Sequence, residues 1–300
     1  MLNASRAFLL MCGFAVCAGL VLAGPVIVDR VGMIHRHLTH RTDGLGQAPS
    51  YAPCAEGNPW LSESVQEACH EGDALASQVG SHVLLWHEDG AGPSVANTPP
   101  INTQASGSTL IAFSAGYTSN NQGPTDNKGN TWAPLGAPVV YRGYDGQFNV
   151  KAYIVNSAVG GNGHSLSIVK NGAPSGEITV PFIEIRNSAA LHAVAQNYPA
   201  AASVVSSASV TTSGPATLVA FWWGDASGLV HSAIPNNGFS IIENFVNLPP
   251  NSAVQCVVAV RQVAGAGTYN VSWTQTPSQG AVLWLMAFQS DDAIFESGFE

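Results

Sequence analysis

Charge is scarce in this chain: Lys, Arg, Asp and Glu make up 10% of its 300 residues, against roughly a quarter in an ordinary soluble domain. The 10 basic residues are spread thinly among 19 acids, for a formal charge of −9. No basic patch forms to meet a phosphate backbone, so a nucleic-acid partner is not expected. Catalytic signatures are missing too. There is no G-x-S-x-G elbow, no Ser-His-Asp set in a recognisable context and no cofactor motif, so no cofactor is expected. Helical periodicity is absent from Gly107 onward. Disorder is also excluded, because an apolar fraction of 46% can offset the chain entropy.

What is present begins with an apolar run, Ala7 to Val28, behind Arg6. As a signal peptide it carries Val21-Leu22-Ala23 before Gly24, a small-residue cleavage pattern. As an uncleaved anchor its length of about 22 residues crosses a ~30 Å hydrocarbon layer. Either reading implies export, to the outside or to the cell envelope, with membrane contact confined to residues 7–28. No lipobox cysteine follows a small residue there. Cysteine usage fits an oxidising compartment: Cys12 and Cys17 lie in the leader, while Cys54 and Cys69 share a short polar segment. A disulfide between Cys54 and Cys69 is expected, worth on the order of 3 kcal/mol in the chain-entropy account. Cys256 shares a strand face with Val254, Val258 and Val260 and reads as a small buried hydrophobe.

Four segments follow. Residues 1–28 are the leader. Residues 29–97 form a polar extension rich in His and Glu, with a short helix opening at the Ser64 to Glu67 capping box. Residues 98–290 form the main domain, and residues 291–300 an acidic aromatic tail. In the main domain Phe148, Val150, Ala152 and Ile154 alternate with Gln147, Asn149, Lys151 and Tyr153, and Tyr269, Val271 and Trp273 alternate in the same way. Period two marks strands with one buried face. Leu110 to Ala115, Leu218 to Trp223 and Val282 to Phe288 are apolar on both faces, as central strands of a packed sandwich are. Trp222 and Trp223 are consecutive and point to opposite faces, while Trp273 and Trp284 share strands with apolar partners and read as core. Pro181 interrupts its strand and suggests a bulge or an edge. Ten or so strands separated by Gly and Asn turns predict an all-β fold, a jelly-roll-like antiparallel β-sandwich carrying a short disulfide-containing extension.

The run Thr98-Pro-Pro-Ile-Asn-Thr-Gln-Ala-Ser-Gly-Ser-Thr-Leu110, then Asp126-Asn-Lys-Gly-Asn-Thr-Trp132 and an aromatic strand followed by Gly-Gly-Asn, resembles a group of uncharacterised bacterial secreted β-sandwich domains. The resemblance covers about Thr98 to Gln289 and implies a jelly-roll fold without catalytic residues. The ending Ile294-Phe-Glu-Ser-Gly-Phe-Glu300 is similar to a C-terminal tail on exported proteins of some Gram-negative bacteria, which implies sorting or attachment.

Four clusters have chemistry to weigh. His35, His37 and His40 have metal-compatible spacing, but Arg36 and Arg41 repel a cation and no metal is expected. Asp126, Asn127 and Asn130 could offer oxygens to Ca²⁺, yet a turn with Gly129 at positive φ explains the same residues. Glu184 is the best single carboxylate for glycoside hydrolysis, although a structural pairing with Arg186 or a backbone amide accounts for it better. The ligand-binding candidates are Tyr141, Arg142, Tyr144 and Asp145, where two rings, a guanidinium and a carboxylate share a strand-connecting loop. Rings stack on sugar C–H faces and the charged pair can bond hydroxyls. The expected role is therefore non-catalytic binding of carbohydrate or another envelope component. The alternatives are a secreted polysaccharide hydrolase using Glu184, and a structural or passenger domain with no small ligand.

Overall fold

The computed structural model describes residues 76–87, 94–117, 122–170, 177–188, 190–227, 231–247 and 253–290. The leader, the His35 cluster, the capping-box helix, the Cys54–Cys69 pair and the tail lie outside the described residues. Every regular element within them is a β-strand, and every pairing is antiparallel.

The chain order falls into two matching halves. The first contains β1 (Gln78–His87), β2 (Val95–Asn97), β3 (Ser106–Tyr117), β4 (Thr125–Asp126), β5 (Ala133–Val140), β6 (Phe148–Val159), β7 (Leu166–Val169) and β8 (Ile178–Arg186). It builds a five-stranded sheet, β1-β8-β3-β6-β5, and a three-stranded sheet, β2-β7-β4. The second contains β9 (Leu191–Asn197), β10 (Ala202–Ser206), β11 (Val210–Thr212), β12 (Ala216–Gly224), β13 (Ser232–Pro235), β14 (Ser240–Phe245), β15 (Cys256–Val263), β16 (Gly267–Tyr269), β17 (Ser272–Gln279) and β18 (Ala281–Phe288). Its sheets, β9-β18-β12-β15-β14 and β10-β17-β13, repeat the first arrangement strand for strand. The small β11-β16 pair has its counterpart in the Ile101–His164 bridge. Each half has the jelly-roll order, with the fifth strand shifted to the edge of the larger sheet.

Three apolar layers lie between four sheet layers. Leu110, Ala112, Phe182, Leu166 and Ile168 fill the first sandwich, and Leu218, Ala220, Trp222, Val271 and Trp273 fill the second. The two five-stranded sheets then face each other through Phe113, Ile183, Phe221, Trp223, Trp284 and Phe288. Phe113 anchors this middle layer, with ring centroids 4.3 Å from Phe221 and 4.7 Å from Trp223. Central strands are thus covered on both faces. In β12, Leu218, Ala220 and Trp222 point into one core while Val219, Phe221 and Trp223 point into the other. The neighbouring Trp222 and Trp223 are both fully buried, and their indole nitrogens donate to Gln275 Oε1 (2.7 Å) and Thr179 Oγ1 (3.2 Å).

The antiparallel sandwich expected from the sequence is present, but there are two of them, and the first begins upstream of Thr98. β1 and β2 supply one strand to each of its sheets. A bulge between Val79 and His82 reverses the facing of β1 partway along, which conceals its alternation. Pro181 lies in β8, an interior strand, rather than at an edge. Pairing of β8 with β3 lapses between Ala112–Phe182 and Ala115–Thr179, around the position where the proline has no N–H to donate.

Candidate functional site

The Tyr141 to Gly146 loop joins β5 to β6, and its side chains are turned to internal use. Tyr141 is 3% exposed within the middle core, and burial pushes its phenol well above the usual range. Tyr144 is half-buried, packs edge-on against Phe148, and donates its hydroxyl to the Asp225 carbonyl at 2.6 Å. Arg142 lies over the Tyr198 ring, 3.9 Å from its centroid, and donates to the carbonyls of Tyr198 (2.6 Å) and Pro199 (3.2 Å) rather than to Asp145. Tyr198 in turn donates to Asp225 Oδ2 at 2.6 Å. Asp145 stands exposed in the left-handed region, φ +50°. The loop from the first sandwich is therefore bolted to connections of the second. Of the four residues expected to bind ligand, Tyr141, Arg142 and Tyr144 thus pack or bond within the fold as a latch between the halves, and Asp145 takes no part in it.

The carboxylates with the best catalytic pretext are also internal. Glu184 is fully buried: Oε1 accepts from Gln104 N and Ser108 Oγ, and Oε2 from Ser81 N (3.1 Å) and Arg186 Nε (3.0 Å). This is the structural pairing anticipated for it, and both oxygens are occupied. Asp126 Oδ1 accepts from the amides of Lys128 and Asn130, and Oδ2 from Asn130 Nδ2 and Trp132 Nε1. Burial pushes its carboxyl up, but those bonds outweigh burial and hold it below the ordinary value. The residues read as possible Ca²⁺ oxygens thus form the turn, with Gly129 at φ +78°. Among the described residues no three His, Cys, Asp or Glu side chains stand together as a metal site. Cys256 is fully buried in the middle core, where burial pushes its thiol well above the usual range.

Comparing the two halves exposes a place where they diverge. The turn Asn127-Lys128-Gly129 corresponds to Asn236-Asn237-Gly238, whose glycine has φ +76°. In the first half this end is sealed. Asn130 donates to Val159 O and accepts from Val159 N, so its amide covers the free edge of β6, while Lys128 Nζ reaches Asn162 O and Asn127 spans Gly163 O and Ser165 N. In the second half Phe239 takes the place of Asn130 and is drawn into the core, 7% exposed. The edge of β15 beyond its last partner, Val260, then opens into a groove.

The groove is shallow and open to solvent, and runs between the Asn237-Gly238 turn and the Thr268 to Asn270 segment. It continues across Arg261 towards Gln78 and Val79 of β1. Ladder registers set Arg261 in the place of Val155, since Leu110 faces Val155 and Leu218 faces Arg261. Tyr269 likewise stands where the first half has His164. A Cβ at Gly238 would meet the Arg261 side chain at 3.5 Å, and the Arg261 guanidinium lies 5.5 Å from the Tyr269 ring centroid. Tyr269 spends its hydroxyl on Gly265 O (2.8 Å), leaving the ring as a partly exposed apolar wall. Asn237 Nδ2 reaches the carbonyl and Oδ1 of Asn270, each at 3.2 Å. Sequence reading missed Arg261, Tyr269 and Asn237. The signal was an internal repeat: Thr109-Leu-Ile-Ala-Phe113 with Gly116 recurs as Thr217-Leu-Val-Ala-Phe221 with Gly224.

Comparison of the chain with known protein families, with curated proteins and with solved structures finds no match.

Proposed function

We propose that this is an exported, non-catalytic binding protein that holds carbohydrate or another envelope component. The observation that supports this reading is the groove over the β15 edge, where one repeat is closed and the other is open around Arg261, Tyr269, Asn237 and Asn270. An aromatic wall flanked by amides and a guanidinium is the chemistry that holds sugar rings: apolar contact for C–H faces, donors and acceptors for hydroxyls. Export follows from the leader and the tail, and the envelope is where such ligands lie. The test is retention of the full-length protein on immobilised cell-wall and plant polysaccharides. Delayed elution on at least one matrix supports binding, and elution in the void on all of them overturns it.

A further inference from the structure

We infer that the groove selects a polysaccharide bearing carboxylate groups, with Arg261 receiving the uronate; this rests on the binding reading above. Arg261 has no hydrogen-bond acceptor or carboxylate partner among the described residues, and its guanidinium lies over the Tyr269 ring. The other two described arginines differ. Arg142 is spent on two carbonyls and Arg186 on the buried Glu184. A guanidinium without a carboxylate among the described residues, in a chain of formal charge −9, presents a planar fork suited to bidentate contact with a carboxylate.

Three further observations point the same way. The described residues lining the groove include no Asp or Glu, although acids outnumber bases in the chain. Glu243 of β14, three residues on from Ser240, is held by His82 Nδ1 at 2.7 Å. The fold itself does not call for a cation here, because Val155 fills the matching position of the first half. Asn237 Oδ1 and the Asn270 side-chain nitrogen have no protein partner among the described residues, so an acceptor and a donor for ring hydroxyls lie beside the charge. An acidic peptide shares the charge but gains less from a ring wall flanked by amides, and sugar is the class these side chains favour.

The test compares full-length wild type, Arg261→Gln and Arg261→Lys on polygalacturonate, on its methyl ester and on poly-L-glutamate, with thermal unfolding as the control for fold. The expected result is retention on polygalacturonate about tenfold stronger than on the ester, weakening with salt. Arg261→Gln should abolish that preference and Arg261→Lys should keep part of it, both unfolding as wild type does. Equal retention on acid and ester, unchanged in Arg261→Gln, overturns the uronate assignment while leaving carbohydrate binding intact. Retention on polyglutamate as strong as on polygalacturonate also overturns it, in favour of an acidic peptide. Elution in the void from both polygalacturonans and every neutral polysaccharide overturns the binding reading as well.

Discussion

Replacing Glu184 by glutamine keeps the shape of a fully buried side chain and removes its charge. Four donors converge on the carboxylate, two on each oxygen: Gln104 N and Ser108 Oγ on one, Ser81 N and Arg186 Nε on the other. A neutral amide accepts at one oxygen only, and its NH2 group then faces two donors. Two hydrogen bonds to a charged acceptor are lost, each worth about 1.5–3 kcal/mol, so Glu184→Gln should cost about 3–6 kcal/mol. The range agrees with the cost of breaking one partner out of a buried ion pair, about 3–5 kcal/mol. At about 2–4 °C per kcal/mol for a chain segment of this size, the melting temperature should fall by at least ~6 °C. Arg186→Gln should cost less, because the arginine side chain is 35% exposed and water can replace part of its contact. The assay is paired thermal and urea unfolding of the full-length proteins. A Glu184→Gln protein melting within ~2 °C of wild type would refute the structural assignment of this carboxylate.

Three further outcomes follow from the same reasoning. Burial lowers the pKa of His164 despite nearby Asp126, so its imidazole stays neutral in the fold while the unfolded chain takes up a proton. Stability should be constant above about pH 6.5, the unfolded value, and decline as pH falls from there towards the folded pKa. Unfolding across that window in His164→Gln should show a shallower decline, with His87, lowered by burial and then by Lys170, supplying the remainder; an unchanged slope counts against a buried neutral His164. Tyr198→Phe removes the bond to Asp225 and the acceptor for the Arg142 amide, and should lower stability by about 1–2 kcal/mol in urea unfolding. No change would mean that the latch between the halves contributes nothing. Cys256, buried and with its thiol pushed up, should resist alkylation until the protein unfolds, as peptide mass mapping can show; fast labelling of the native protein would contradict its place in the core.

The strands themselves were legible because period-two alternation and double-sided apolar runs are local signals, and Trp273 and Trp284 reveal their burial through the company they keep. β1 escaped that reading. Gly80, whose Cβ would overlap the Glu184 carboxylate, together with the bulge at Val79–His82, interrupts its pattern, and its polar His82 is satisfied by Glu243 on a distant strand. The Tyr141 loop misled for a related reason. Rings and charges in a Gly-bounded loop look the same in sequence whether they face solvent or a second sandwich, and only the packing of Tyr198 and Asp225 against them decides.

The sequence by itself determined the class of structure, all-β and antiparallel, and the residues that build its cores, since strand patterning depends on each residue's own chemistry and its immediate neighbours. Tertiary structure alone decided that there are two jelly rolls stacked through Phe113, Phe221 and Trp223, that the aromatic loop locks them together, and that Arg261 has no acid partner among the described residues. Those facts depend on which strands meet across about seventy residues of chain, as Leu110 meets Glu184 in one half and Leu218 meets Ala287 in the other, and such pairing is set by register and burial rather than by any local pattern.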